Sequence, residues 1–398
     1  MLGCQDFLCS FPATAAALFA CALLVSIAAG GSSSASADAA GRVEVRHNAA
    51  VFTASVLLNL TGYDEENADS FHPVRERVRR QMAEGVPAEL LAELKGFRSS
   101  HPQHHTRYVI FALSIEGPPS FALREVEAMA PAEGGPGAGW QEVWHSEVSR
   151  LRGDLAGLEL LLAKLWAVPA VPGAFREAEQ EALESGRPRA SAINRGIEAA
   201  IAYLQADPSH LQVRQVIIPN LLMSHRQAMG VPMGCTTFVT VEGPLDVNLA
   251  PAGPEPMGDP HEFLHLLVAP ATRAPDLVQT YPERFGELFR QAMEYPHMQG
   301  NYRSHEGWVD ECLVKAVASR LVYDEGRPLA PLGDPACPLA VHETVAGYLL
   351  EAWLYEKLVE YEQGDLSFVE WFRQTVEETT EEAVLEQLQS LGIAVNKP

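Results

Sequence analysis

Basic residues are scarce in this chain. Lys and Arg total 29 against 52 Asp and Glu, for a formal charge of −23. Phosphate binding needs clustered cations, so this balance argues against nucleic acid and against an anionic membrane surface. Cysteine is equally sparse, with six in 398 residues and no C-x-x-C pair. That excludes a cysteine zinc knuckle and a dithiol redox motif. Cys4, Cys9 and Cys21 fall in an N-terminal segment expected to be removed, which leaves Cys235, Cys312 and Cys337 and room for one disulfide. No internal repeat is visible.

Charge is missing altogether from Phe7 to Ala37, where "FPATAAALFACALLVSIAAGG" runs into small residues and an Ala-x-Ala site at Ala35-Ser36-Ala37. That order is the order of a secretory signal peptide, although no Lys or Arg precedes the apolar run and Asp6 is acidic. The segment is also of borderline length for an uncleaved membrane anchor. The reading is residues 1–37 as signal, then export to the periplasm or the outside of the cell.

What is present is a folded composition, 47% hydrophobic and 20% charged. "HPVRERVRRQMAEGVPAELLAELKGF" predicts two charged amphipathic helices broken at Gly85-Val86-Pro87. "RYVIFALSI" is a strand or a buried helix. "WQEVWHSEVSRLRGDLAGLELLLAKLWAV" and "ASAINRGIEAAIAYLQAD" read as long helices. Then the texture changes: "LQVRQVIIPNLLM" and "CTTFVTVEGPL" are rich in β-branched residues between Pro and Gly, and read as strands. After a Pro/Gly loop, Asp259 is a plausible N-cap with Pro260 at the first helical position, and everything beyond is helical. The expected fold class is α+β and mostly helical, with a helical N-terminal region at 38–205 and a second region at 206–398 whose small sheet precedes the key helix.

That helix carries His261-Glu262-Phe263-Leu264-His265. Residues four apart share a helix face, so both imidazoles can reach one ion. Zinc suits imidazole nitrogen and in catalytic sites takes three protein ligands. Glu262, beside the first ligand, is placed to take the proton of an attacking water. Composition alone would produce H-E-x-x-H by accident in roughly a few per cent of such chains. A helix start with solvated polar residues is the blander explanation, but the apolar Leu264, Leu266, Leu267 and Val268 leave little room for an exposed face.

The third ligand expected is Glu311, 46 residues after His265 (311 minus 265), in the apolar context of "HEGWVDECLVKAVASRL". Glu306 and His305 are rivals, Asp310 could support a ligand from behind, and a salt bridge to Lys315 would explain Glu311 without metal. Tyr302, Arg303 and Tyr348 are candidate donors to a developing oxyanion. "HPQHH" (His101, His104, His105) reads as a solvated polar cluster, and His342-Glu343 as a helix N-terminus.

H-E-x-x-H followed by a downstream helical glutamate resembles the gluzincin zinc metallopeptidases. "VEVRHNAAVFTASVLLNLTGY", "VIIPNLL", "HEFLHLLVAP" and "WVDECLVKAV" are further similar to a family of uncharacterised secreted bacterial H-E-F-x-H proteins, over most of the mature chain. The resemblance implies a zincin-like catalytic core, Zn²⁺ as cofactor and no particular substrate. One position departs from the pattern: gluzincins often carry an aspartate four residues after the glutamate, and here Lys315 stands there. The functional expectation is an exported zinc metallopeptidase acting on a peptide or protein lying beside "VRQVIIP" or "CTTFVTV". Its alternatives are a catalytically inactive, zinc-stabilised helical binding module, and a metal-free protein in which the motif is accidental.

Overall fold

The computed structural model describes residues 43–63, 72–124, 146, 148–206, 213–225, 227–233, 237–244, 258–295, 298, 302, 304–323, 344 and 346–393. The signal segment, Arg303, His342, Glu343, Cys235 and Cys337 lie outside them. Cys312 is buried and unpaired by any disulfide.

The chain is mostly helical around one mixed four-stranded sheet, an α+β arrangement. Strand β1 (Val43–Val45) leads into α1 (Ala49–Leu60), whose side chains are buried almost all round and which starts where the Asn48 side chain accepts from the Val51 amide. Helices α2 (Pro73–Gly85) and α3 (Ala88–Ser100) break at Val86-Pro87, as the Gly and Pro predict. The ambiguous "RYVIFALSI" forms α4 (His105–Leu113), a short core helix. Helix α5 (Leu158–Trp166) starts at Gly157, whose φ of +91 suits glycine. Helix α6 runs from Ala170 to Tyr203, starting well before the expected Ala190. It passes through Gly186, where a Cβ would stand 2.6 Å from both Pro219 Cγ and Val45 Cγ1, so the missing side chain lets α6 lie directly on the sheet.

The sheet order is β1-β2-β4-β3, with β2 (Arg214–Pro219), β3 (Ala228–Pro232) and β4 (Thr237–Glu242). β1 and β4 flank β2 in parallel, and β3 closes one edge antiparallel to β4. β2 and β4 are therefore interior strands with both hydrogen-bonding edges taken. A peptide cannot add to either, which corrects the expectation placed on "VRQVIIP" and "CTTFVTV".

Both faces of the sheet are covered, which is why β2 and β4 read as continuous apolar runs. Val216, Ile218, Val239 and Val241 face a core built with α1, α4 and α5. Ile217 and Phe238 face a second core with α7 (Gly258–Thr272), α8 (Pro275–Ala292), α9 (His305–Tyr323), α10 (Glu351–Gln363), α11 (Phe368–Glu378) and α12 (Glu381–Ser390). Helix α7 begins at Gly258, so Asp259 and Pro260 lie inside its first turn and not ahead of it. Helix α6 serves both cores: Val171, Ala174, Ala178 and Ala182 pack in the first, Ile193, Ile197, Ala200 and Ile201 in the second. Among the described residues no single helix is long and apolar enough to cross a membrane.

Candidate metal centre

Helices α7 and α9 pack against one another, and each inserts polar side chains into an otherwise apolar contact. Phe263, Leu264, Leu267 and Val268 of α7 and Trp308, Val309, Leu313 and Val317 of α9 are buried in the same core. Within that setting His261, His265 and Glu311 offer three donor atoms that lie within 4.8 Å of one another. His261 Nε2 is 3.2 Å from Glu311 Oε1, and His265 Nε2 is 3.4 Å from Glu311 Oε2. Tetrahedral zinc with bonds of about 2.0–2.1 Å sets its ligand atoms roughly 3.3 Å apart, so the two histidine–glutamate separations and the donor chemistry suit that ion. The Glu311 side chain is only 14% exposed, so it is largely shielded from solvent.

His265 is oriented from behind. Its Nδ1 is 2.6 Å from Asp310 Oδ2, and the other Asp310 oxygen accepts from the Thr272 hydroxyl. The Thr272 carbonyl in turn accepts from Tyr281 OH at 2.8 Å. A carboxylate on Nδ1 fixes the proton there and leaves Nε2 facing Glu311, the arrangement metal-ligating histidines usually show. Burial alone would lower the pKa of His265, yet Asp310 and Glu311 hold it well above the ordinary 6.5. Burial alone would raise that of Glu311, yet His261 and His265 hold it well below the ordinary 4.5.

Glu262 faces the sheet. Its Oε2 accepts from the Gly230 amide of edge strand β3 at 2.8 Å. Gly230 belongs to a pair that does not exchange hydrogen bonds with β4, since the neighbouring bonds Gly243 N to Gln227 O and Met233 N to Thr237 O fix the alternation. The amides of positions 228, 230 and 232 therefore point outward. A Cβ on Gly230 would come within 2.8 Å of Glu262 Cβ and 2.9 Å of its Oε2, and would collide with Phe238.

The other candidates fall elsewhere. Glu306 stands 3.7 Å from Arg273, and His305 packs on Phe289, with ring centroids 4.3 Å apart. Tyr302 and Tyr348 meet hydroxyl to hydroxyl at 3.3 Å, and burial together with Glu311 pushes the Tyr302 phenol up. Lys315 Nζ is 3.6 Å from Glu311 Oε1, so the salt bridge considered for Glu311 coexists with the histidine contacts. The histidine tract is not uniformly solvated. His104 is exposed, but His105 is buried against Tyr63 and Gln227, and burial drives its pKa down to about 3. Sequence reasoning missed Gly230 and Thr272; neither carries a local signal, because each matters only through a neighbour brought in by the fold.

No family model, no curated protein and no solved structure matches the chain.

Proposed function

We propose that this chain is a gluzincin-type zinc metallopeptidase with a zincin-like core, exported, in which His261, His265 and Glu311 hold Zn²⁺. The observation that supports this reading is the meeting of three zinc-type donors, two imidazoles and a carboxylate, from two buried helices, with the Glu262 carboxylate next to His261 tethered to β3. Zinc bound there supplies Lewis acidity toward a carbonyl and makes water a competent nucleophile at neutral pH.

The chain's own groups divide the remaining work. Asp310 keeps the Nδ1 proton on His265, so that Nε2 is the donor. Glu262 accepts the proton of the attacking water and returns it to the leaving amine. The Gly230 amide occupies one Glu262 oxygen and sets the direction of the other. The same tether also supports a second reading, an inactive zinc-stabilised binding module, because pinning β3 to α7 gives Glu262 a use without any chemistry.

Glu262→Gln separates the two. The amide oxygen can still accept from Gly230, but the side chain can no longer take a proton. Metal analysis of purified mature protein is expected to give about one zinc per chain, lost in His261→Ala and His265→Ala. Chelator-sensitive cleavage of unstructured peptides is expected to fall by roughly two to four orders of magnitude in Glu262→Gln, with zinc retained. Zinc binding without cleavage, identical in wild type and Glu262→Gln, supports the binding module. Zinc-free, fully folded protein means the motif is accidental.

A further inference from the structure

Lys315 is an unusual neighbour for a metal ligand. It follows Glu311 by four residues, and its side chain is only 18% exposed. Its ammonium lies 3.6 Å from Glu311 Oε1 and 4.4 Å from the centroid of the Tyr348 ring. Tyr348 is itself braced by Tyr302, hydroxyl to hydroxyl. The cation is thus held between a carboxylate and an aromatic face, a placement that limits its reach. A flexible surface lysine would be screened and mobile; this one is fixed beside the donor cluster.

Charge balance gives that placement a consequence. Among the described residues, three carboxylates, Glu262, Asp310 and Glu311, and the Lys315 ammonium belong to the donor set, touch it or adjoin it in sequence. Added to a doubly charged metal ion these sum to zero; with Lys315 removed the sum is one negative charge. A negative cluster disfavours any further anion, whereas a neutral one with an ammonium at its edge accepts it.

We propose that Lys315 is the anion-receiving group of this site. The proposal rests on the metal reading above and adds to it the residue that meets negative charge. When water attacks a carbonyl carbon, the C=O π pair moves onto the oxygen and the water proton passes to Glu262. Lys315 stabilises the charge gathered on that oxygen, without giving up its own proton. The ligands it favours are oxyanions and small inorganic anions.

The test uses the full-length mature protein with cobalt(II) as the metal and azide as the probe, followed by visible absorption. Wild type is expected to bind azide with a clear spectral change. Lys315→Met should bind it about tenfold more weakly, while keeping its cobalt, and Lys315→Arg should restore most of the loss. Equal azide affinity in wild type and Lys315→Met overturns the proposal, as does a wild-type spectrum that azide leaves unchanged. So does loss of cobalt from Lys315→Met, which would make Lys315 a support for Glu311. If wild type takes up no cobalt, this inference and the metal reading fall together, and metal analysis distinguishes that case from the others.

Discussion

At 2.6 Å from Nδ1, the Asp310 carboxylate fixes how His265 titrates as well as how it points. A base with a raised pKa stabilises the fold below its unfolded value and loses that contribution as pH climbs through the folded value. An acid with a depressed pKa stabilises above its unfolded value and loses that contribution as pH falls through the folded one. With His265 raised above 6.5 and Glu311 lowered below 4.5, the metal-free cluster is fully stabilising from about pH 4.5 to 6.5 and weakens on either side. A metal ion must displace the His265 proton, so zinc affinity should strengthen as pH rises above that window. Chelator competition across the neutral range measures this. Asp310→Asn should weaken zinc by roughly 10- to 100-fold and flatten the pH dependence, because the anchor on Nδ1 is lost. A pH profile unchanged in that variant would remove Asp310 from the account.

At the scale of elements, the contact between β3 and α7 closely constrains the site. Gly230→Ala places a methyl where Glu262 and Phe238 already stand. Overpacking of this kind typically costs about 1–3 kcal/mol, and here it must also push the Glu262 carboxylate away from the cluster. Thermal melts should show the destabilisation, zinc content should stay near wild type, and peptide cleavage should fall toward the Glu262→Gln level. Full activity in Gly230→Ala would show that the position of Glu262 is not set by β3. The same elements show what could be read in advance. α7 and α9 were legible because polar residues interrupt apolar helices, and β2 and β4 because burial on both faces demands β-branched runs. β3 was not: "AMGVP" is a short edge strand whose Gly and Pro mimic a loop. The first half of α6 was hidden for a related reason, since Gly173, Gly186 and Pro188 read as breakers and only the close approach to the sheet explains Gly186. Glu311 could be found as a carboxylate in an apolar helix; the tether on Glu262 could not, because it depends on two segments that are 32 residues apart in sequence.

For the molecule as a whole, the sheet and α6 tie the two cores into one structure. Neither core can open without exposing a face of β2 and β4 and stripping half of α6, a helix about 51 Å long by its 34 residues. A chain of 398 residues commonly unfolds in stages. Here calorimetry should give a single transition, moved upward as a unit by zinc, by about 2.7 kcal/mol at a free concentration one hundred times Kd. Two resolved transitions, only one of them moved by zinc, would mean that the cores are independent. The outer rim of β3, which pairs with no further strand among the described residues, has a further effect, on how copies of the protein meet. An unpaired strand edge is where chains zip onto one another. Of the outward-facing positions 228, 230 and 232, Gly230 has its amide on Glu262 and Pro232 has no amide to offer. That leaves Ala228 as the one outward amide of the three, so a second copy laid along that rim meets mostly carbonyls, and the Glu262 contact works against the sheet becoming a template for its own aggregation.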